Sequence, residues 1–212
     1  MAHFPEHLAD RFKRFKLRHF ALNQEHYEEL AEYGQQPDTM IVSCCDSRVA
    51  PETIFSALPG ELFVVRNVAN LVPPYETSGR YHGVSAALEF ATLNLRVKHI
   101  VIMAHSSCGG VSACLNHDVA KQTDDHFISN WMSILEGHRD DVVARLPNAD
   151  ESERQAALER ETVKASLKNL RTFPFVEELE NKGRLFMHGA HFNIESGTLS
   201  VLNTSTDQFI PL

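Results

Sequence analysis

Several features are missing from this sequence of 212 residues, and each absence excludes a class of protein. No apolar run approaches the ~18 residues of a membrane-spanning helix, and the first residues lack the apolar core and cleavage site of a secretory signal. We therefore expect a cytoplasmic protein with no membrane partner. Lys and Arg number 20 against 28 Asp and Glu, a net charge of −8, so no nucleic-acid partner is expected either.

Cysteine is also scarce. The four cysteines fall in two short segments, as the neighbours Cys44 and Cys45 and as Cys108 and Cys114. A small secreted domain held by disulfides spreads its cysteines along the chain as a framework. The clustering seen here favours metal or thiol chemistry instead.

The chain does contain the pattern of an α/β domain. Its first segment has the apolar spacing of a long amphipathic helix, and residues 1–34 are predicted to form an N-terminal helical arm that packs on a neighbouring subunit. Residues 81–97 predict a crossover helix. Short apolar runs predict buried parallel strands at residues 39–44, 61–67 and 99–105.

The second half of the chain continues this architecture. Residues 127–146 and 151–173 each have the pattern of a helix, whereas 184–194 and 198–203 predict a final strand pair, antiparallel at the sheet edge. We find no repeat and no linker long enough to divide the chain. The prediction is one α/β domain over residues 1–212, with a mostly parallel central sheet flanked by helices.

Reactive side chains gather at the ends of two predicted strands. Cys44 ends the first strand and is followed by Asp46 and Arg48, while His105 ends the third and is followed by Cys108. The carboxyl ends of parallel strands share one edge, where open α/β sheets place their sites. Cys, His and Cys form a ligand set suited to zinc, and three protein ligands leave one position open, as in catalytic sites.

Asp46 has two alternative roles beside such a metal. It can fill the fourth coordination position, or it can accept a hydrogen bond from water there; a bidentate pair with Arg48 would keep its carboxylate off the metal. Side chains alternate along an extended strand, which places Asp46 and Arg48 on the face of Cys44. Cys45 then faces away, and we predict that it is a small buried packing residue, like Cys114.

Two motifs resemble the zinc signature of the β-class carbonic anhydrases: CxDSR at residues 44–48 and HxxCGG at residues 105–110. Further segments resemble the plant-type branch of that family, among them RNVANLVPPYE (66–76) and ETVKASLKNLRTFPFV (161–176). The resemblance implies a carbonic anhydrase that interconverts CO2 and bicarbonate through zinc-bound hydroxide. It also implies one Zn²⁺ per subunit, with Cys44, His105 and Cys108 as its ligands.

The resemblance assigns roles to further residues. It implies that Asp46 and Arg48 are catalytic and that Gly109 presents its backbone N–H to the bound anion. Gln35 matches a glutamine that hydrogen-bonds the substrate from the neighbouring subunit. The apolar substrate pocket beside the zinc matches Phe63, Val68 and Phe90. A pocket shared across subunits implies a homodimer as the minimal unit, and it is compatible with a tetramer or a larger assembly.

Two positions depart from a pattern found in part of the family. Some β-class enzymes bind bicarbonate at a second site built from Trp, Arg and Tyr, which frees the Asp to ligate zinc. Here Arg66 stands at the arginine position, but Ile41 and Phe192 stand where the Trp and Tyr would lie. We therefore predict no bicarbonate-gated closure and a resting site in which Asp46 is paired with Arg48.

Two other functions are compatible with this fold. One is a related zinc hydrolase of COS or CS2, and the plant-type pattern with Gln35 argues against it. The other is a noncatalytic bicarbonate-binding module, which would have no need of an intact set of zinc ligands beside Asp46 and Arg48. Carbonic anhydrase activity is the favoured prediction.

Overall fold

The computed structural model describes residues 4–116 and 127–212, and the chain divides into two units, the first ending at Gln36 and the second beginning at Pro37. The N-terminal unit contains α1 (Glu6–Phe15), a π-helical turn (Lys16–Phe20) and α2 (Gln24–Tyr33). The prediction of one continuous helix is therefore wrong. Asn23 leaves the helical conformation, and its side-chain amide donates to the His19 carbonyl, a local bond that competes with helix continuation.

The N-terminal unit has no buried residue in either of its helices. Phe20 packs against Tyr27 with ring centroids 5.0 Å apart, and Phe15 contacts both rings. Leu17 and Leu22 remain about four-fifths exposed, at 78% and 85%. This unit thus carries apolar side chains that are not packed within it.

The second unit is built on a six-stranded sheet in the order β2-β1-β3-β4-β5-β6. Its strands are β1 (Thr39–Cys44), β2 (Leu62–Asn67), β3 (His99–His105), β4 (Phe186–Phe192), β5 (Leu199–Asn203) and β6 (Gln208–Pro211). The first four are parallel and the last two antiparallel. The predicted fold class is confirmed, but β6 was missed because this short strand ends at a proline and has no apolar alternation.

Helices and turns connect these strands: α3 (Pro51–Ile54), a 3₁₀ turn (Val68–Asn70), α4 (Gly83–Glu89) with a π-helical extension (Phe90–Leu95), α5 (Gly109–Leu115), α6 (Phe127–Met132), a 3₁₀ turn (Ser133–Leu135), α7 (Glu136–Arg145), α8 (Glu151–Leu170) and α9 (Pro174–Asn181). The single helix predicted over 127–146 is interrupted, because the Ser133 hydroxyl donates to the Asn130 carbonyl. Within the described ranges, no helix is long and apolar enough to cross a bilayer.

The main core lies between the sheet and helices α8 and α9. Ile100 and Ile102 on β3 pack there with Leu167 and Leu170 of α8, and full burial of such a side chain contributes about 1.5–3 kcal/mol. The winding of the sheet reverses between β1 and β3, because β1 leads to β2 on one side and β3 leads to β4 on the other. Ligand sites of open α/β sheets lie at such a switch point, beyond the carboxyl ends of its strands.

Candidate metal centre

Three side chains meet beyond the carboxyl ends of β1 and β3. The ligand atoms of Cys44, His105 and Cys108 lie within 4.8 Å of one another, and all three residues are buried. The sulfurs of Cys44 and Cys108 are 3.9 Å apart, close to the roughly 3.8 Å that tetrahedral zinc with Zn–S bonds of about 2.3 Å requires. No other such group occurs among residues 4–116 and 127–212.

The imidazole of His105 is oriented for metal binding. Its Nδ1 lies 2.9 Å from the Ser106 carbonyl, so Nδ1 carries the hydrogen and Nε2 keeps its lone pair. Nε2 is buried and has no hydrogen-bond partner among the described residues. An unpaired buried nitrogen is costly, and a metal bound to the lone pair would offset that cost. The residues present therefore fit a zinc ion.

The two ligand thiols compete for one proton. The pKa of Cys44 is lowered to about 4, chiefly by its hydrogen bond with Cys108, against the opposing effect of burial. The pKa of Cys108 is raised by the same thiol–thiol bond and by burial. Such a pair titrates as a unit. A cation bound between the sulfurs would release the remaining proton.

Asp46 and Arg48 form the predicted bidentate pair. Arg48 Nε donates to Asp46 Oδ1 at 2.9 Å, and Nη2 donates to Oδ2 at 2.7 Å. The hydrogen bond from this guanidinium holds the pKa of the Asp46 carboxyl well below its usual range. Arg48 also donates to the Ser107 carbonyl at 3.1 Å. The guanidinium thus ties Asp46 to the chain that carries Cys108.

Cys45 is exposed, so the prediction that it is a buried packing residue is wrong. The prediction extended the alternation of β1 as far as Arg48, but the strand ends at Cys44 and the chain turns, with Asp46 Oδ1 accepting the Arg48 backbone N–H. Cys45 lies beyond the packed strand and lines a cavity of about 890 Å³. Cys114 is buried, as predicted.

Arg66 on β2 holds the chain after β1 from the other side. Its Nε donates to the Cys44 carbonyl at 2.9 Å and its Nη2 to the Asp46 carbonyl at 2.6 Å. Ile41 belongs to the buried core, and Phe192 packs at the edge of a second apolar cluster. The sequence indicated Arg66 only as part of an incomplete bicarbonate site, and its support of the Cys44 and Asp46 carbonyls was missed.

The three residues predicted to line the substrate pocket fall in two places. Phe63 on β2 and Phe90 after α4 contact each other, with ring centroids 5.9 Å apart. Val68 instead lines the cavity that also contains Cys45 and Trp131, and the Trp131 indole donates to the Val68 carbonyl at 2.8 Å. The role of these three residues in binding substrate stays a prediction.

The two glycines after Cys108 differ in their surroundings. A Cβ on Gly110 would lie 2.6 Å from Val68 Cγ1, so only glycine allows α5 to pack this closely on the 3₁₀ turn. A Cβ on Gly109 would meet nothing within 4 Å, which leaves open space at the start of α5. Gln35 is exposed and belongs to the N-terminal unit, and its role stays a prediction.

Sequence reasoning also missed Glu159, whose carboxyl group accepts the backbone N–H of Cys108 at 3.0 Å. Glu159 is 2% exposed and lies on the buried face of α8 with Thr162 and Ser166. A glutamate at the helical spacing of a buried face is unusual, because acidic side chains are seldom fully buried without a partner. That spacing was the only available signal.

Comparisons with known proteins agree with this geometry. The family model for carbonic anhydrase matches residues 39–199. Beta carbonic anhydrase 3 of Arabidopsis thaliana is 34% identical over 197 residues, which are 92% of this chain and 76% of that protein. The solved structure of the β-carbonic anhydrase CcaA superposes with a TM-score of 0.91 at 27% identity, covering 98% of this chain and 91% of that one.

Fungal structures give the same result. The β-carbonic anhydrase CafA of Aspergillus fumigatus is 32% identical with a TM-score of 0.78, over 92% of this chain and 90% of that one. One of two tetrameric β-carbonic anhydrases of Sordaria macrospora is 28% identical with a TM-score of 0.78, over 93% of this chain and 96% of that one. The chain therefore belongs to the β-carbonic anhydrase family.

Proposed function

We propose that the protein catalyses the reversible hydration of CO2 to bicarbonate and a proton, with one zinc ion per subunit held by Cys44, His105 and Cys108. The observation that carries this proposal is a buried three-ligand centre beside a carboxylate, Asp46, whose two oxygens both accept hydrogen bonds from Arg48. Three ligands without a fourth from the protein are typical of catalytic zinc.

Each residue of the centre contributes a separate function. When bound, zinc supplies the Lewis acid that makes a water ligand acidic. Arg48 holds both oxygens of Asp46, which keeps this carboxylate from the fourth coordination position, while a free lone pair can accept a hydrogen bond that orients the attacking water. His105 is fixed by the Ser106 carbonyl, so its ring cannot turn away.

The substrate side of the site is proposed from the family resemblance, and the open space at Gly109 supports one part of it. CO2 is apolar, and Phe63, Val68 and Phe90 offer apolar surface to it. Open space at Gly109 allows a bicarbonate oxygen to approach the backbone N–H groups at the start of α5. Gln35 would donate its side-chain amide to the substrate from a neighbouring subunit.

A homodimer is the smallest assembly that such a shared site requires. Two observations support it: the apolar side chains of residues 4–34 are largely exposed, and β2 is an edge strand with half-buried apolar residues, which invites pairing. Relatives from Sordaria macrospora are tetrameric, so a tetramer is the next candidate. A cytoplasmic location stays a prediction.

Size-exclusion chromatography with light scattering measures the mass of the assembly. We expect the full chain to elute with at least twice the mass of one subunit, and a variant lacking residues 1–34 to lose activity together with its dimer. If the full chain were a monomer and still hydrated CO2 well above the buffer rate, the shared site would be refuted.

Stopped-flow CO2 hydration by the purified zinc-loaded protein tests the activity. We expect hydration well above the buffer rate for the wild type, and a loss of at least about 100-fold for Asp46→Ala with its zinc content unchanged. A fully loaded wild type that only matches buffer would exclude the enzyme. Hydrolysis of COS or CS2 in its place, or bicarbonate binding without turnover, would then identify which alternative holds.

A further inference from the structure

The carboxyl group of Glu159 is buried at the metal centre without being a predicted ligand. Its side chain is 2% exposed, and burial of a carboxyl group is costly unless its oxygens are hydrogen-bonded. Oε1 accepts the Cys108 backbone N–H and the Gln155 side-chain amide, both at 3.0 Å. Oε2 lies 3.4 Å from Nε2 of buried His191. Both oxygens therefore have partners.

This carboxyl group acts on one particular point of the chain. Cys108 is the residue before α5, and the N–H groups at the start of a helix have no partner within the helix. Glu159 supplies one for Cys108, and Gln155, one helical turn away on α8, donates to the Cys108 carbonyl at 3.4 Å. The backbone on both sides of this ligand is thus tied to α8.

We propose that Glu159 is a positioning residue of the metal centre, which fixes the backbone of Cys108 so that its sulfur faces Cys44 and His105. Gln155 and His191 hold the carboxyl group in place. The inference rests on the proposed zinc site but not on turnover of CO2. Its consequence is slow zinc release, since loss of such supporting contacts costs roughly 10- to 100-fold in metal affinity.

Zinc release to a chromophoric chelator measures this effect without any CO2. We expect Glu159→Ala, checked for folding by circular dichroism, to release zinc about 10- to 100-fold faster than wild type. The cobalt-substituted variant should also show a shifted thiolate-to-cobalt absorption band. A folded Glu159→Ala with a release rate and spectrum like wild type would overturn the proposal.

Two conservative variants separate the effect of side-chain length from that of charge, and they test the proposal even if Glu159→Ala fails to fold. Glu159→Gln keeps an acceptor oxygen at the same reach, so release should stay within roughly threefold of wild type. Glu159→Asp keeps the charge but is about 1.5 Å shorter, so release should be at least tenfold faster than for Glu159→Gln. Any smaller gap between the two, or the reverse order, would overturn the proposal.

Glu161 provides the matched control on the same helix. Its partners are His138, Arg145 and Lys164, and its pKa is lowered to about 2, chiefly by the neighbouring His138. Glu161→Gln therefore removes one negative charge and an ion-pair network from α8. We expect a lower melting temperature and an unchanged rate of zinc release. If Glu161→Gln released zinc as fast as Glu159→Asp, the faster release would reflect a less stable α8 and not the contact with Cys108, and the proposal would be overturned.

A failure of the proposed function would look different. A wild-type protein that retains zinc but does not hydrate CO2 would end the enzyme proposal and leave the contrast between Glu159→Gln and Glu159→Asp intact. Conversely, an active enzyme in which both variants release zinc like wild type would end only the role of Glu159.

Discussion

The two segments that carry the metal ligands are held by opposite kinds of partner. After β1, residues 44–48 are held by the guanidinium groups of Arg48 and Arg66, which donate to carboxylate and carbonyl oxygens. After β3, residues 105–110 are held at Cys108 by the carboxyl group of Glu159, which accepts a backbone N–H, and Arg48 reaches this segment only at the Ser107 carbonyl. The second segment leads into α5, and the N–H groups at a helix start have no partner within the helix, so this segment needs an acceptor.

The two segments also differ in exposure. Arg48 is about half exposed, with 49% of its side chain accessible, whereas Glu159 is buried. Exposed charge pairs are weakened by salt and buried ones much less. We therefore expect the exposed support of the first segment, Arg48, to tune catalysis and the buried support of the second, Glu159, to retain the metal. The predictions that follow test this division of roles.

The largest effect is expected at Cys44, because it is the one ligand in the first segment. Cys44→Ser should lose most of the bound zinc and at least about 100-fold in activity, since a hydroxyl is a poor zinc ligand beside a thiolate. The neighbouring Cys45→Ser is the matched control, and its exposed side chain should cost no more than about 0.5 kcal/mol. Zinc analysis and stopped-flow assays measure both. Equal losses would mean that the ligands are wrongly assigned.

The next effect is expected at Arg48. Lysine keeps the positive charge but cannot form the two parallel bonds to Asp46, so Arg48→Lys should lower kcat by about 10-fold while zinc is retained. Zinc release should remain at the wild-type rate. A variant that released zinc quickly while its kcat was unchanged would reverse the roles assigned to the two segments.

Much of this site was predictable from sequence because its ligands sit beside regular elements. The apolar runs that form β1 and β3 place Cys44 and His105 at strand ends, and the two motifs complete the set. Cys45 was placed wrongly, since the end of a strand depends on a turn bond between the Asp46 carboxylate and the backbone of Arg48. Glu159 lies 51 positions from Cys108, and no local pattern links two residues that meet only after α8 packs.

A third prediction separates packing from substrate binding within the second segment. Gly110→Ala places a Cβ against Val68 and should destabilise the fold by about 1–3 kcal/mol. Gly109→Ala meets nothing within 4 Å, so its melting temperature should match wild type while its KM for bicarbonate rises. Thermal melts and dehydration assays report the two effects. A stable Gly110→Ala beside an unstable Gly109→Ala would contradict this account of the turn.

The smallest effect is expected from bicarbonate, which should not close the metal site. Gated closure by bicarbonate would need a free guanidinium beside two polar aromatic side chains, but Arg66 already donates to the Cys44 and Asp46 carbonyls, Ile41 is a core residue, and Phe192 has no hydroxyl to offer. Bicarbonate at high concentration should therefore leave the spectrum of the cobalt-substituted protein unchanged against a chloride control of equal ionic strength, apart from simple saturation at the metal. A cooperative spectral change that disappears in Arg66→Met would contradict this prediction. It would mean that Arg66 leaves the Cys44 and Asp46 carbonyls to bind the anion, and that residues 44–48 change conformation when bicarbonate binds.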